Sequence, residues 1–311
     1  MEKSVFCKSD QWKDTLDMKG KLGIWIFWTG YFTLAAVLQL LSGDFPSSFF
    51  EFPVNVASLL LWVSVIWAIF REYPESAAGA LLASRQTTCI TLCAFLTVCI
   101  VQGLSPVKVT GTWWFIAAVF ALISHLLMVF LRGALRPRSH RTRFILNHGG
   151  LLLALAAGLF GSPDTKEWRT VADMLHGTAR AVDEHGHLAG LQHELRLEGV
   201  SADSYSNGVP KNYEATVLLD STESIILRVN HPYALSWRDD MYLAGVNGIS
   251  DGKTQTGSCI IQIVRHPWKY AEWAGIIMLM AGSAMLFLSG PSSGSTKRKR
   301  PGCPKTEEAD L

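Results

Sequence analysis

Six runs of apolar residues punctuate the chain, roughly Leu22–Leu41, Pro53–Phe70, Thr87–Leu104, Thr112–Leu131, Phe144–Gly161 and Tyr270–Gly290. Each holds close to the ~20 residues that a helix needs to cross the hydrocarbon core of a bilayer. The long polar stretch 162–269 separates the last two runs, and its pattern is different. Leu191, Leu195 and Leu197 alternate with polar residues, and the runs Tyr213–Leu219, Ser224–Val229, Met241–Val246 and Cys259–Val264 are rich in β-branched and aromatic residues. Turn signals separate them at Asn207-Gly208-Val209-Pro210, His231-Pro232, Asn247-Gly248 and Asp251-Gly252. This pattern predicts antiparallel strands in a sandwich or half-barrel. The stretch Asp164–Leu188 is ambiguous, and for Val171–Ala181 within it a short helix on the membrane surface is one reading. The fold class is thus an α+β membrane protein, with six transmembrane helices and one extramembrane β-rich domain between spans five and six.

Charge orients this pattern. Lys3, Lys8, Lys13, Lys19 and Lys21 precede the first run, Arg71 and Arg85 flank the loop after the second, and Arg132, Arg136, Arg138, Arg141 and Arg143 follow the fourth. Lys297, Arg298, Lys299, Arg300 and Lys305 follow the sixth, whereas the loop 42–52 has no Lys or Arg and the loop after the third run has only Lys108. Basic short loops mark the cytoplasmic side. Both termini are therefore expected inside and 162–269 outside. A cleaved signal peptide is not expected, because the leader is mixed in charge and no small-residue cleavage site follows the first run. The formal net charge of +2 gives no reason to expect a nucleic-acid partner, since the basic residues sit in loops without interleaved aromatics. The lipid bilayer is the partner that the pattern itself implies.

Cysteine usage excludes thiol–disulfide donation. Cys7 and Cys303 fall on the inner side, Cys89, Cys93 and Cys99 fall in the third run, and Cys259 alone falls in the outer domain, with no CxxC pair. Cys89 and Cys93, one helical turn apart, read as packing residues. His185, His187 and His193 lie in a Gly-rich connection without a supporting ligand cluster, and His231 and His266 each precede a proline and read as structural. No GxSxG, HExxH or phosphate-binding loop is present.

Several motifs fall in a familiar order. They are "LQHELRLEGVSADSYSNGVPKNYEATVLLD", "ILRVNHP" and "MYLAGV" between Leu191 and Val246, the Trp113-Trp114-Phe115 opening of the fourth run, His148 in "LNHGGLLLAL", and "VRHPW" before the last run. Together they resemble the ResB-like family of cytochrome c biogenesis proteins, over roughly residues 87–290. The Tyr-x-x-Gly-x-Pro-x-x-Tyr and Val-Asn-x-Pro patterns of that family become Tyr205, Gly208, Pro210, Tyr213, Val229, Asn230 and Pro232. There are departures. The family's His shortly before Trp-Trp-Phe is absent from Val109–Thr112, and the first two runs form an extra hairpin. Nothing matches the Trp-rich segment of the partnering CcsA family. The chain thus divides into 1–86 (leader and extra hairpin), 87–161 (spans three to five of the core), 162–269 (outer β domain), 270–290 (span six) and 291–311 (basic tail).

The resemblance implies a multi-pass protein of the bacterial cytoplasmic membrane, with a periplasmic β domain. It also implies an accessory, non-catalytic subunit of a cytochrome c haem lyase complex. The expected partners are a CcsA-type haem-handling subunit and apocytochrome c, and the expected cofactor is haem b, transported or transiently bound. Haem iron takes imidazole ligands, and a histidine inside a span is a functional candidate by default. His148 lies roughly 6 Å into the fifth span and His125 roughly 9 Å from the inner end of the fourth, at 1.5 Å per residue. Both are axial-ligand candidates. Trp114, Ala118, Ala121 and His125 share one helix face, read as a low groove, while Gly150, Ala154 and Gly158 form a stripe for close helix packing. Arg136, Arg138, Arg141 and Arg143, topology signals first, also suit haem propionates. Two other function classes remain: a haem-b electron carrier or quinol-reactive membrane protein using His125 and His148, and a ligand-free assembly scaffold.

Overall fold

The computed structural model describes residues 3–135, 141–184, 186–204, 210–247 and 257–289. Among the described residues six helices are long and apolar enough to cross a membrane: Leu22–Ser42, Val54–Arg71, Arg85–Leu104, Trp113–Ala134, Arg141–Asp164 and Lys269–Leu288. They fall on α1 (Lys3–Ser42), α2 (Val54–Arg71), α4 (Arg85–Leu104), α5 (Trp113–Ala134), α6 (Arg141–Phe144) with α7 (Gly150–Gly161), and α8 (Lys269–Ser289). A short helix, α3 (Ala77–Leu82), links α2 to α4. Side-chain caps start the middle helices, as Ser76, Ser84 and Thr112 accept from the backbone N–H of Gly79, Thr87 and Phe115.

The most apolar of these helices, α5, is also the most buried, with Ala118, Ile123 and Met128 almost fully enclosed. It contacts α1, α2, α4 and α7. Lipid is as apolar as leucine, so close packing and hydrogen bonds must hold such helices together. Trp62 Nε1 donates to Ser124 Oγ (2.9 Å) and Tyr31 Oη to the Ala117 carbonyl (3.0 Å), tying α2 and α1 to α5. Trp28 Nε1 donates to Thr87 Oγ1 (3.2 Å), tying α1 to α4.

The small-residue stripe of α7 packs on α8. A Cβ at Gly150 would fall 2.7 Å from the Gly275 carbonyl oxygen, and one at Gly275 would fall 2.6 Å from the Ala154 nitrogen. The two backbones therefore touch, as small-xxx-small spacing allows.

The polar region folds as one eight-stranded antiparallel sheet in the order β5-β4-β3-β2-β1-β8-β7-β6. The strands are β1 (Lys166–Asp173), β2 (Thr178–Asp183), β3 (Leu188–Ser204), β4 (Pro210–Leu219), β5 (Glu223–Arg228), β6 (Tyr233–Ala234), β7 (Asp239–Asn247) and β8 (Ser258–Arg265). It curls until Tyr233 Oη on β6 donates to Glu223 on β5 (3.1 Å), bringing its two edge strands together. Leu195, Leu197, Val217, Leu227, Met241, Cys259 and Ile261 fill the inside. Burial pushes the Cys259 thiol up to about 11, which makes it inert.

The expected surface helix over Val171–Ala181 is corrected, because these residues end β1 and begin β2. After Trp168, the inward positions of β1 are Thr170 and Ala172, small or polar, while the conspicuous Val171 points outward and is exposed. That inversion hides the two-residue period. His193 is also corrected: it lies on β3 and bonds Asp220 (2.6 Å) rather than sitting in a loop. This bond and the Glu194 N–H hold the Asp220 carboxyl below its ordinary value. Asp220 and Ser221 both have positive φ, as a tight β4–β5 hairpin turn demands.

β1 pairs with β8 along its whole length, from Lys166↔Arg265 to Asp173↔Ser258. The first and last strands of the sheet are therefore neighbours, and this delivers the chain from α7 and returns it to α8 side by side.

Candidate functional site

The residue with the strongest claim, His148, sits in a break in helical geometry. The backbone passes from α6 into a π-helical turn, Ile145–Gly149, before α7 begins. Such single turns insert one residue into the helical ladder and re-aim side chains, often at functional positions. Neighbours hold the turn in place. Asn147 Nδ2 donates to the Arg143 carbonyl (2.9 Å), and the Asn147 amide lies against Gly282 of α8, where an added Cβ would meet it at 2.7 Å. On the α5 side, the Phe144 ring lies on Gly133, leaving no room for a Cβ.

The half-buried His148 imidazole stacks on the Phe144 ring, with centroids 4.1 Å apart and planes at 24°. Its Nδ1 is 3.3 Å from the Phe144 carbonyl oxygen. A carbonyl only accepts, so this contact requires the proton on Nδ1 and leaves the lone pair on Nε2. An imidazole that coordinates metal through Nε2 has this tautomer, with its Nδ1 oriented by a backbone carbonyl.

His125 stands in a different setting. It is buried between α5, α3 and α4, with Nδ1 2.7 Å from the Leu82 carbonyl oxygen and Nε2 2.9 Å from Thr88 Oγ1. By the same logic Nδ1 donates to Leu82 and Nε2 accepts from the Thr88 hydroxyl. Both ring nitrogens are engaged, so iron coordination here would require Thr88 to move away. Of the face read as a groove, Ala118 and His125 are covered, Ala121 borders a large cleft, and Trp114 is half-buried at the start of α5. Trp113 is held by α1, donating from its backbone N–H to Gln39 (2.8 Å) and from Nε1 to Ser42 (2.9 Å).

Of the four arginines, Arg141 is exposed and Arg143 half-buried on α6, directly before the His148 turn. Arg136 and Arg138 lie outside the described residues, as do His185, Tyr205, Gly208 and the basic tail. Asn230 of the Val-Asn-x-Pro turn has φ +62°, a left-handed conformation that Asn tolerates better than most residues.

A polar belt where the sheet meets the helices went unpredicted. Asp164, just past α7, accepts from the Phe52 N–H (2.8 Å), Asn55 Nδ2 (2.7 Å) and Trp268 Nε1 (2.9 Å), drawing α2 and the base of α8 onto one carboxylate. Asp239 accepts from Arg265 Nε (2.7 Å) and Ser236 Oγ (2.8 Å). Burial alone would raise the Asp239 carboxyl, but its bonds from Arg265 and Ser236 outweigh this and hold it below its ordinary value. Lys269 Nζ pairs with Asp240 (2.7 Å), and His266 Nε2 lies 3.1 Å from Glu272. Polar residues at the edges of apolar runs were the available signal: Asn55 in the first turn of its span, and Asn147 beside His148.

The model of the ResB-like family matches residues 132–258. The match runs from the last turn of α5 through the arginine loop, the His148 turn and α7 to the first residue of β8. It covers less than half of the 311-residue chain and leaves out α1 and α2. No match to a curated protein was found.

Proposed function

We propose that the protein is the ResB-type subunit of a membrane complex for cytochrome c biogenesis, working beside a CcsA-type subunit. The observation that carries this reading is the ResB-like match over 132–258, the segment holding the arginine loop, His148 and most of the sheet. The family is associated in general with cytochrome c biogenesis. In this reading the six apolar helices cross the cytoplasmic membrane with both termini inside, and the sheet stands on the periplasmic side between spans five and six.

Haem b, when bound, supplies an iron that accepts imidazole, together with two propionates that seek cations. His148 Nε2 is the ligand this chain would offer. The Phe144 carbonyl holds its tautomer and Asn147 with Gly282 fixes its turn, while Arg141 and Arg143 suit the propionates, with Arg136 and Arg138 in the adjoining loop. Trp114 and His125 are secondary candidates. The engaged nitrogens of His125 favour a single-histidine site over a bis-imidazole electron carrier. The sheet would contact the partner subunit and apocytochrome c, with thioether formation lodged in the partner.

Complementation tests the reading. A strain lacking this gene should lose covalently haem-stained c-type cytochromes and regain them with the wild-type chain. Normal cytochrome c levels in that strain would overturn it.

A further inference from the structure

One large cleft touches neither His125 nor His148. It measures about 2150 Å³ and separates α1 from α2, with α5 as its floor. Along α1 it runs from Gly20 to Leu38, about 27 Å at 1.5 Å per residue. That is close to the ~30 Å hydrocarbon thickness of a bilayer. Its walls are apolar and strongly aromatic, formed by Phe27, Trp28, Tyr31, Trp62, Phe120 and Phe160. The hairpin of α1 and α2 forms two walls of this space and lies outside the family match, whereas Gly158 to Glu184 on its rim lie inside it.

Chemistry changes at the outer mouth. His266 and Glu272 border the cleft there, hydrogen-bonded at 3.1 Å and each about a quarter exposed, at 28% and 24%. Among the described residues that line it, Asp44, Glu167 and Glu184 border the mouth too, beside one lysine, Lys108, which is 3.2 Å from Glu184. The mouth therefore carries more carboxylates than cations. A phosphate or a haem propionate entering it would meet net negative charge. Arg85, the remaining cation on the wall, belongs to the opposite end, in the first turn of α4.

The cleft thus calls for a molecule with one tail nearly as long as the membrane is thick. Its head must be uncharged and bear oxygens that can accept from an imidazole N–H and donate to a carboxylate. Acyl chains of a phospholipid occupy one leaflet, and its phosphate is the wrong charge for this mouth. We propose that the cleft binds an isoprenoid quinone or quinol, with its ring at His266 and Glu272 and its tail lying between α1 and α2 along α5. The claim concerns binding, and it stands independently of the haem reading.

The full-length protein, purified in a non-ionic detergent, should carry about one quinone per chain in a solvent extract analysed by mass spectrometry. Decylubiquinone should quench its tryptophan fluorescence saturably, since Trp28 and Trp62 line the cleft. Ala117→Phe and Ser58→Phe, which fill the cleft from α5 and from α2, should each abolish the saturable phase. Glu272→Gln should weaken it roughly tenfold, the effect of one charge-assisted hydrogen bond. Haem content, read in the same samples, should not change in the filling variants. Phospholipid or haem as the only extractable occupant, or quenching that both filling variants leave intact, would overturn the proposal.

Discussion

The two sides of α5 are built in opposite ways. On one side α7 and α8 cross with their backbones touching at Gly150 and Gly275, and the His148 turn is held where Asn147 meets Gly282 of α8 and Phe144 meets Gly133 of α5. On the other, α1 and α2 stand apart around an open cleft, and a Cβ at Gly20, Gly23 or Gly30 of α1 would meet nothing within 4 Å. Glycine thus has two meanings in one helical bundle: in the seam it is a requirement of contact, and in the hairpin it leaves room. The difference assigns rigidity to the side that holds the candidate ligand, whose α7 lies within the ResB-like match, and adaptability to the α1–α2 hairpin, which the match leaves out.

Substitution at the two kinds of glycine tests this contrast most strongly. Gly150→Leu should drive α7 off α8 and destabilise the protein by about 3 kcal/mol, the upper end for overpacking. Gly23→Leu should leave thermal stability unchanged or slightly higher, since glycine is the poorer helix former. Thermal melts of both variants in the same detergent make the comparison, and equal effects would break it.

Asp164 joins the two sides through Asn55 on α2 and Trp268 before α8. Asp164→Ala strands three donors and should cost about 1–3 kcal/mol. Limited proteolysis at the junction between helices and sheet should quicken accordingly. His125→Ala leaves the Leu82 carbonyl without its imidazole donor and the Thr88 hydroxyl with only the Ser84 carbonyl at 3.4 Å, and should cost about 1–2 kcal/mol, read as a lowered melting temperature with haem retained. Loss of haem in that variant would return His125 to the ligand list.

Acid should act at the base of the sheet. The Asp239 carboxyl is held below its ordinary 3.8 in the folded protein. Its contribution is therefore complete above that value and is lost as pH falls through the lower folded value. Asp239→Asn should be the less stable protein at neutral pH and should show a shallower loss of stability below pH 3.8. The smallest change expected is Lys108→Ala. It removes an exposed pair with Glu184 at the cleft mouth and should shift stability by about 1 kcal/mol or less.

Much of this architecture was legible in residue pattern. Span length and hydropathy located six helices, and the Gly150–Ala154–Gly158 spacing announced a close helix contact that proves to be with α8. Strands β3, β4, β5, β7 and β8 showed their period because their inward residues are large and apolar. The first two strands did not, since Ala172 and Thr170 face inward while Val171 faces out. The π-helical turn left no local mark either. It depends on Phe144 meeting Gly133 of the preceding helix α5 and on Asn147 meeting Gly282, a residue far away in sequence. The setting of His125 likewise depends on Leu82 and Thr88, which periodicity alone does not bring to it.

The central claim is that this chain handles haem through His148 as part of a cytochrome c biogenesis complex. The most direct measurement is the absorption spectrum of the complex copurified with its CcsA-type partner, from wild type and from His148→Ala. The account predicts a haem Soret band in the wild type that falls on the order of tenfold in His148→Ala, as loss of a supporting ligand contact typically does, while the two subunits still copurify. Unchanged haem content and unchanged cytochrome c maturation in His148→Ala would contradict it.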